Sequence, residues 1–402
     1  MTRRLTIFLL AGEPSGDVLG GRLMAALRNM TEGEIEFRGV GGPAMESEGL
    51  KSLFPMAELS VMGVVEILPH VRKLFARMHE TAAEIDALAP DAVVTIDAPA
   101  FAHGVAKRIR NRGIPRIHYV APQLWAWRPW RVHKFKRHFH HLLALLPFEP
   151  AWFARHGVTC DFVGHPVIET ESGGETGAAF RARHEIAADA PAICVLLGSR
   201  RGEVSRLAGP FREALSILKL VAILPTVPNV ADMVRTETAS WPVPVVVTDD
   251  PKHKKAAIAA CNTGLAASGT ATLELALAGV PFVVAYRVAT LTYLLARPLM
   301  RVRFANLVNL ILDREVIPEL LQNDCRADRL APAGAPLFGD AGKRSAAQQA
   351  GGGGRFEHYP VRRRVRYAPV VCLFSLEVRL ALFLEGGDGL DMVVGPAGDT
   401  HM

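Results

Sequence analysis

Three short stretches, each following an apolar run, carry residue types that can bind phosphate or move a proton. Thr95-Ile96-Asp97-Ala98-Pro99 puts a carboxylate just past the run Asp91 to Ile96, at the carboxyl end of a buried strand, where ligands of open α/β sheets sit. Asp97 there can act as a general base toward an attacking hydroxyl. Its bland alternative is to cap the next helix or pair with an arginine. In Leu197-Gly198-Ser199-Arg200-Arg201-Gly202-Glu203, Gly198 and Ser199 offer close backbone and hydroxyl contacts, and Arg200 supplies a planar fork that matches phosphate oxygens. A solvated basic loop is the competing reading. Ser268-Gly269-Thr270-Ala271-Thr272-Leu273-Glu274 feeds a helix whose free amides and positive dipole end suit a diphosphate. Glu274 lies one turn beyond Thr270, so its carboxylate can accept both hydroxyls of a ribose. Together these residues read as a nucleotide-diphosphate seat, against the alternative that Thr270 merely caps a core helix with Glu274 exposed.

A fourth stretch, Ala11-Gly12-Glu13-Pro14-Ser15-Gly16-Asp17, is a strand-to-helix turn in which small residues admit a ligand and Ser15 or Asp17 can cap the helix. It is not a P-loop, because no Gly-Lys-Ser/Thr follows. Trp125 to His141 interleaves aromatics with Lys, Arg and His, which suits a membrane interface or an acidic lipid head group, and equally a stacked single strand. His138 and His141 stand one helical turn apart, but no carboxylate or cysteine is near in sequence, so a solvated basic face is expected rather than a metal site. Val61 to Met78 mixes apolar residues with Arg72, Lys73 and Arg77; core packing and membrane docking compete for it.

The elements that must position these residues alternate. Leu5 to Ala11, Asp91 to Ile96 and Ile114 to Val120 read as strands, with helices at Val18 to Met30 and Gly104 to Asn111; the pattern restarts at Ile193 and runs through Val243 to Val247, Gly264 to Ala267 and Pro281 to Tyr286, with helices at Lys254 to Ala260 and Ala271 to Ala278. Such alternation predicts two doubly wound parallel-sheet domains, residues 1–168 and 169–330. Between Glu213 and Ile223 a helix pattern runs into a strand pattern with almost no turn residues, as a deletion would leave it. After Asp328 the text turns Gly- and Pro-rich, with Gly351 to Gly354 and Arg362 to Arg364, so residues 331–402 read as an atypical tail; a shifted reading frame near Ala331 accounts for the change. Half of the 402 residues are apolar, which excludes a disordered scaffold. Five scattered cysteines fit neither a disulfide framework nor a zinc knuckle, and point to a reducing compartment. No uninterrupted apolar run is long enough for a transmembrane helix. The net charge of +6 calls for an anionic partner: nucleic acid, anionic lipid or a phosphorylated substrate.

In this order, A-G-E-P-S-G-D, T-I-D-A-P, H-Y-V-A-P-Q-L-W-A-W-R, V-G-H-P, G-S-R-R-G-E and S-G-T-A-T-L-E-L closely resemble the lipid A disaccharide synthase family, from about Leu5 to Cys325. The resemblance continues through Pro281 to Arg287 and Asn306 to Leu310. It implies two Rossmann-like domains facing a cleft, the GT-B arrangement, and a metal-independent inverting transferase without a cofactor. The implied substrates are UDP-2,3-diacylglucosamine and 2,3-diacylglucosamine 1-phosphate, at the cytoplasmic surface of the inner membrane, with a homodimer possible and no nucleic acid. Asp97 falls at the family's essential aspartate; Gly198, Ser199, Arg200, Ser268, Gly269, Thr270, Glu274 and Asn309 fall on the donor side, Glu13 and Ser15 on the acceptor side. Two departures are Leu197, where the family usually has proline, and the tail. The competing readings are a UDP-sugar epimerase of the same fold, a catalytically defective copy, and a basic membrane- or nucleic-acid-binding module.

Overall fold

The computed structural model describes residues 5–31, 34–59, 71–127, 129–168, 174–289, 293–294 and 297–338. Two six-stranded sheets, every strand parallel to its neighbours, account for the apolar runs. The first consists of β1 (Leu5–Ala11), β2 (Ile35–Val40), β3 (Ala92–Ile96), β4 (Arg116–Tyr119), β5 (His141–Ala144) and β6 (Cys160–Phe162), in the order β2-β1-β3-β4-β5-β6. The second consists of β7 (Ala192–Leu196), β8 (Val221–Pro225), β9 (Val245–Thr248), β10 (Thr263–Ala267), β11 (Phe282–Tyr286) and β12 (Glu319–Leu321), in the order β12-β11-β10-β7-β8-β9. Helices cover both faces of each sheet, which is why β3 and β7 are buried at every position rather than at alternate ones.

This topology decides where a ligand can go. The first sheet reverses its winding between β1 and β3, and the second between β7 and β10; at such switch points the following helices leave on opposite faces and open a crevice beyond the carboxyl strand ends. The loops there are Gly12–Glu13 after β1, Asp97–Ala98 after β3, Leu197 to Arg200 after β7, and Ser268 to Thr270 after β10. All four chemistry-bearing stretches therefore sit at switch points.

Several expectations are corrected. The helix Arg201–Leu218 meets β8 through Lys219 and Leu220 alone, because Lys219 takes the left-handed conformation (φ 52°, ψ 48°) that ends a helix abruptly. No further turn residues are needed. The domain boundary expected at residue 330 falls inside the helix Ala327–Phe338, which packs on the second core through Leu330 and Ala331, both buried. Asp17 does not cap its own helix. It is buried and accepts from the amides of Gly42 (2.8 Å), Ala44 (2.9 Å) and Met45 (3.0 Å), capping the neighbouring short helix Pro43–Ser47 instead.

His138 and His141 are not on a solvated face: one ends the helix Val132–His138, the other opens β5, and both are buried. His141 Nε2 lies 2.7 Å from an Asp161 carboxylate oxygen. Within the same segment Trp125, Phe135 and Phe139 are core, while Trp127 and Trp130 are exposed. Of Val61 to Met78, residues 61–70 lie outside the described residues, as does the tail from 339.

Candidate active site between the two sheets

At the first switch point the chain is drawn very tight. A Cβ on Gly12 would lie 2.7 Å from Ala98 Cβ, so only glycine lets the two loops touch. Asp97 and Ala98 both take positive φ, 52° and 43°, an uncommon conformation for non-glycine residues and one that clusters at functional sites. The turn is pinned by the Asp97 amide donating to the Tyr119 carbonyl (2.9 Å) and the Ala98 amide donating to Asp97 Oδ1 (2.9 Å). Ser15 Oγ donates to Asp97 Oδ2 at 3.3 Å. Among the described residues Asp97 pairs with no arginine, and the helix Pro99–Arg108 starts at Ala98 without a side-chain cap. Neither bland role expected for Asp97 is seen among the described residues. Glu13 stands in the same group: burial, then the Asp97 charge, raises its carboxyl above the ordinary range, while Arg200 from the second domain pulls it down. Two carboxylates and a serine thus gather at one strand end, within reach of the charge of an arginine from the second domain.

At the second switch point Gly198 has φ 102°, and a Cβ there would collide with the Glu203 side chain. Glu203 Oε2 accepts from the amides of Ser199 (2.9 Å) and Arg200 (3.3 Å), and Oε1 meets Arg200 Nη1 at 3.3 Å. The Ser199 and Arg200 amides are therefore already held, whereas the Arg200 guanidinium is 64% exposed. The Asn229 amide steadies the loop by donating to the Ser199 carbonyl (2.9 Å). The β10 loop is different. Its helix Ala271–Ala278 begins with no side-chain cap, Gly269 and Thr270 are exposed, and a Cβ on Gly269 would meet nothing within 4 Å. This is an open, donor-rich helix end.

Behind it, Ser268 Oγ donates to the Ala305 carbonyl (2.7 Å), and Glu319 accepts from the amides of Ala305 (2.7 Å) and Asn306 (3.0 Å). Glu274, expected at a ribose, is ion-paired with Lys254 at 2.7 Å, both partly buried. The Asn309 side chain is fully buried and its amide is spent internally: it donates to the Ile317 carbonyl and to Glu319 and accepts from the amides of Val316 and Ile317, all at 2.8–3.0 Å. That corrects its expected direct contact with a donor. Its side chain holds the loop that holds Ser268.

The model of the lipid-A-disaccharide synthetase family matches residues 7–356. The chain is 52% identical over 336 residues to a lipid-A-disaccharide synthase of Rhodospirillum centenum, covering 82% of this chain and 84% of that one. It is 46% identical over 367 residues to that of Paramagnetospirillum magneticum, covering 87% and 94%. The chain belongs to the lipid-A-disaccharide synthase family. The family match passes Cys325, where the sequence resemblance was expected to end, and runs beyond the helix Ala327–Phe338. Solved structures share the fold at low identity: a kitacinnamycin glycotransferase (TM-score 0.62, 15% identical, covering 94% of this chain and all of that one) and an Acinetobacter baumannii MurG (0.56, 14%, 94% and 99%). UDP-GlcNAc 2-epimerases share it too, as does that of Methanocaldococcus jannaschii (0.54, 13%, 87% and 100%), so fold alone does not choose the reaction. This synthase-family chain has the two-domain, doubly wound fold of the GT-B type. Sequence reasoning gave no role to Glu203 or Lys254 and missed Asn229 and Glu319, whose contacts depend on which loop packs behind which. It also missed Tyr286 at the end of β11, whose phenol is raised by burial and by Glu203, with Arg200 opposing. Only Tyr286 left a signal, as a polar end to an apolar strand.

Proposed function

We propose that this chain condenses UDP-2,3-diacylglucosamine with 2,3-diacylglucosamine 1-phosphate, giving the β-1,6-linked disaccharide 1-phosphate and UDP. The observation that carries the reading is the pairing of switch points: Asp97 with Ser15 and Glu13 on one side, Arg200 and the uncapped 271–278 helix on the other, with Glu13 and Arg200 close enough to feel each other's charge. Asp97 takes the proton of the acceptor 6-hydroxyl; that oxygen attacks the anomeric carbon from the face opposite UDP, the bond to the diphosphate oxygen breaks, and the configuration inverts. The Ser15 hydroxyl on Oδ2 and the Ala98 amide on Oδ1 fix the carboxylate while each oxygen keeps a lone pair for the proton. Arg200, the Ser268, Gly269 and Thr270 loop and the helix dipole offset charge on the leaving diphosphate with fixed donors, so turnover is expected to survive EDTA. Glu274 meets the ribose, with Lys254 fixing its carboxylate.

The membrane surface belongs to the same proposal. No helix among the described residues is long and apolar enough to cross a membrane. Trp127 and Met300 are exposed on either side of the bond from the Arg301 amide to the Ala126 carbonyl (2.9 Å), and Trp130 leads into a helix whose outer face carries His133, Lys134, Lys136 and Arg137. Aromatic and basic side chains together suit an anionic bilayer. A homodimer is part of the proposal as well. The test is product analysis by mass spectrometry with each substrate alone and both together: a disaccharide formed only from both supports the transferase, whereas an altered UDP-sugar formed without acceptor would mean an epimerase.

A further inference from the structure

The strand beside the diphosphate loop ends on a hydroxyl that the proposed mechanism does not use. β11 runs parallel to β10 with Ala285 opposite Ala267, so Tyr286, the last residue of β11, stands level with Ser268, the first residue of the 268–270 loop. The two-residue period of a strand sets the side on which it leaves the sheet. Val283 and Ala285 pack with Phe211 and Leu215 of the helix Arg201–Leu218, whereas Phe282 and Val284 pack with Leu273 and Leu275 of the helix Ala271–Ala278. Tyr286 continues the second series one step beyond the packed part of the strand. It therefore leaves the sheet on the side where the helix Ala271–Ala278 begins.

The four residues before Tyr286 in β11 are buried, and Tyr286 itself is half-buried. Its phenol oxygen has no hydrogen-bond partner among the described residues. A ring of this size needs no hydroxyl in order to pack, and a tyrosine O–H set into protein usually has a polar group to meet. The surroundings are charged: burial first and the Glu203 carboxylate second raise the phenol above its ordinary value, with Arg200 and Arg206 opposing. The hydroxyl thus keeps its proton through neutral solution and serves as a hydrogen-bond donor rather than as an acid. In the sheet order β11-β10-β7, the Arg200 loop after β7 and Tyr286 at the end of β11 flank the 268–270 loop from its two sides.

We propose, given the diphosphate seat of the proposed transferase, that Tyr286 is a further donor-site residue: its phenol O–H donates to a diphosphate oxygen of the UDP-sugar, across the 268–270 loop from Arg200. A hydrogen bond to a charged oxygen is of the strong kind, and it strengthens as charge develops on the departing diphosphate.

The test compares wild type with Tyr286→Phe, which keeps the ring and removes only the hydroxyl. Equilibrium binding is measured for UDP and for uridine, and turnover by disaccharide formation. The expected result is a UDP affinity weakened about tenfold, an unchanged uridine affinity, a turnover number lower by about tenfold or more, and an essentially unchanged thermal midpoint. A ratio of UDP to uridine affinity equal to that of wild type overturns the proposal, whether neither ligand is affected or both lose alike, since Tyr286 would then be a packing residue. The binding measurement does not depend on the transferase reading. A wild type that binds UDP and makes no disaccharide sinks that reading, while the affinity ratio still decides for or against Tyr286.

Discussion

A carboxylate can act as a base only when it is held still with a lone pair to spare, and Asp97 is held by Ser15 on Oδ2, by the Ala98 amide on Oδ1 and by a glycine that lets two loops touch. Gly12→Ala tests the contact. A methyl 2.7 Å from Ala98 Cβ must push the Asp97–Ala98 turn aside, so the turnover number should fall at least tenfold while UDP affinity, set on the other domain, stays within about twofold. Glu149 offers a second test. Buried under Trp125, whose Nε1 donates to it at 3.0 Å, it is pushed up to about 7 chiefly by burial. Its folded form holds the proton more tightly than the unfolded chain, whose value is near 4.5. The stability this contributes is fully present below about pH 4.5 and lost as pH rises through about 7. Urea midpoints of wild type against Glu149→Gln should diverge across that window, the wild type weakening relative to the variant by up to about 1.4 kcal/mol per pH unit. The placement of Asp97 and of the Arg200 loop at carboxyl strand ends was legible in the sequence because each follows a buried apolar run. Glu203, Glu319 and the true role of Asn309 were not, because their partners are backbone groups brought near only by folding.

Strand and helix order was largely legible, since β1, β3, β7 and β10 are predominantly apolar runs. The strands β2, β5, β6 and β12 escaped notice: β2 alternates with charged residues, β5 hides behind the aromatic-basic run, and β6 and β12 are three residues long. The connection at Lys219 misled for a physical reason: a lysine there does the work of the glycine that usually ends a helix this way. Lys219→Gly should therefore stabilise the second domain by about 0.5–1 kcal/mol, read from chemical denaturation, with activity unchanged. The composition change after Asp328 concealed a helix that packs. Leu330→Ala should cost about 2–5 kcal/mol in the same measurement, which a loose tail would not show.

On the scale of the whole molecule, two copies of one topological device face each other, and each places its chemistry where its winding reverses. In the proposed mechanism proton transfer falls to the first sheet and diphosphate binding to the second, with the Arg200 charge acting on Glu13 across the gap. The most direct test compares wild type with Asp97→Asn in two assays on the same preparation, acceptor-dependent UDP release and equilibrium UDP binding. The account predicts a loss of release of about 10²-fold or more with UDP affinity essentially unchanged. A variant that still turns over at near the wild-type rate, or that loses UDP binding together with turnover, would contradict it.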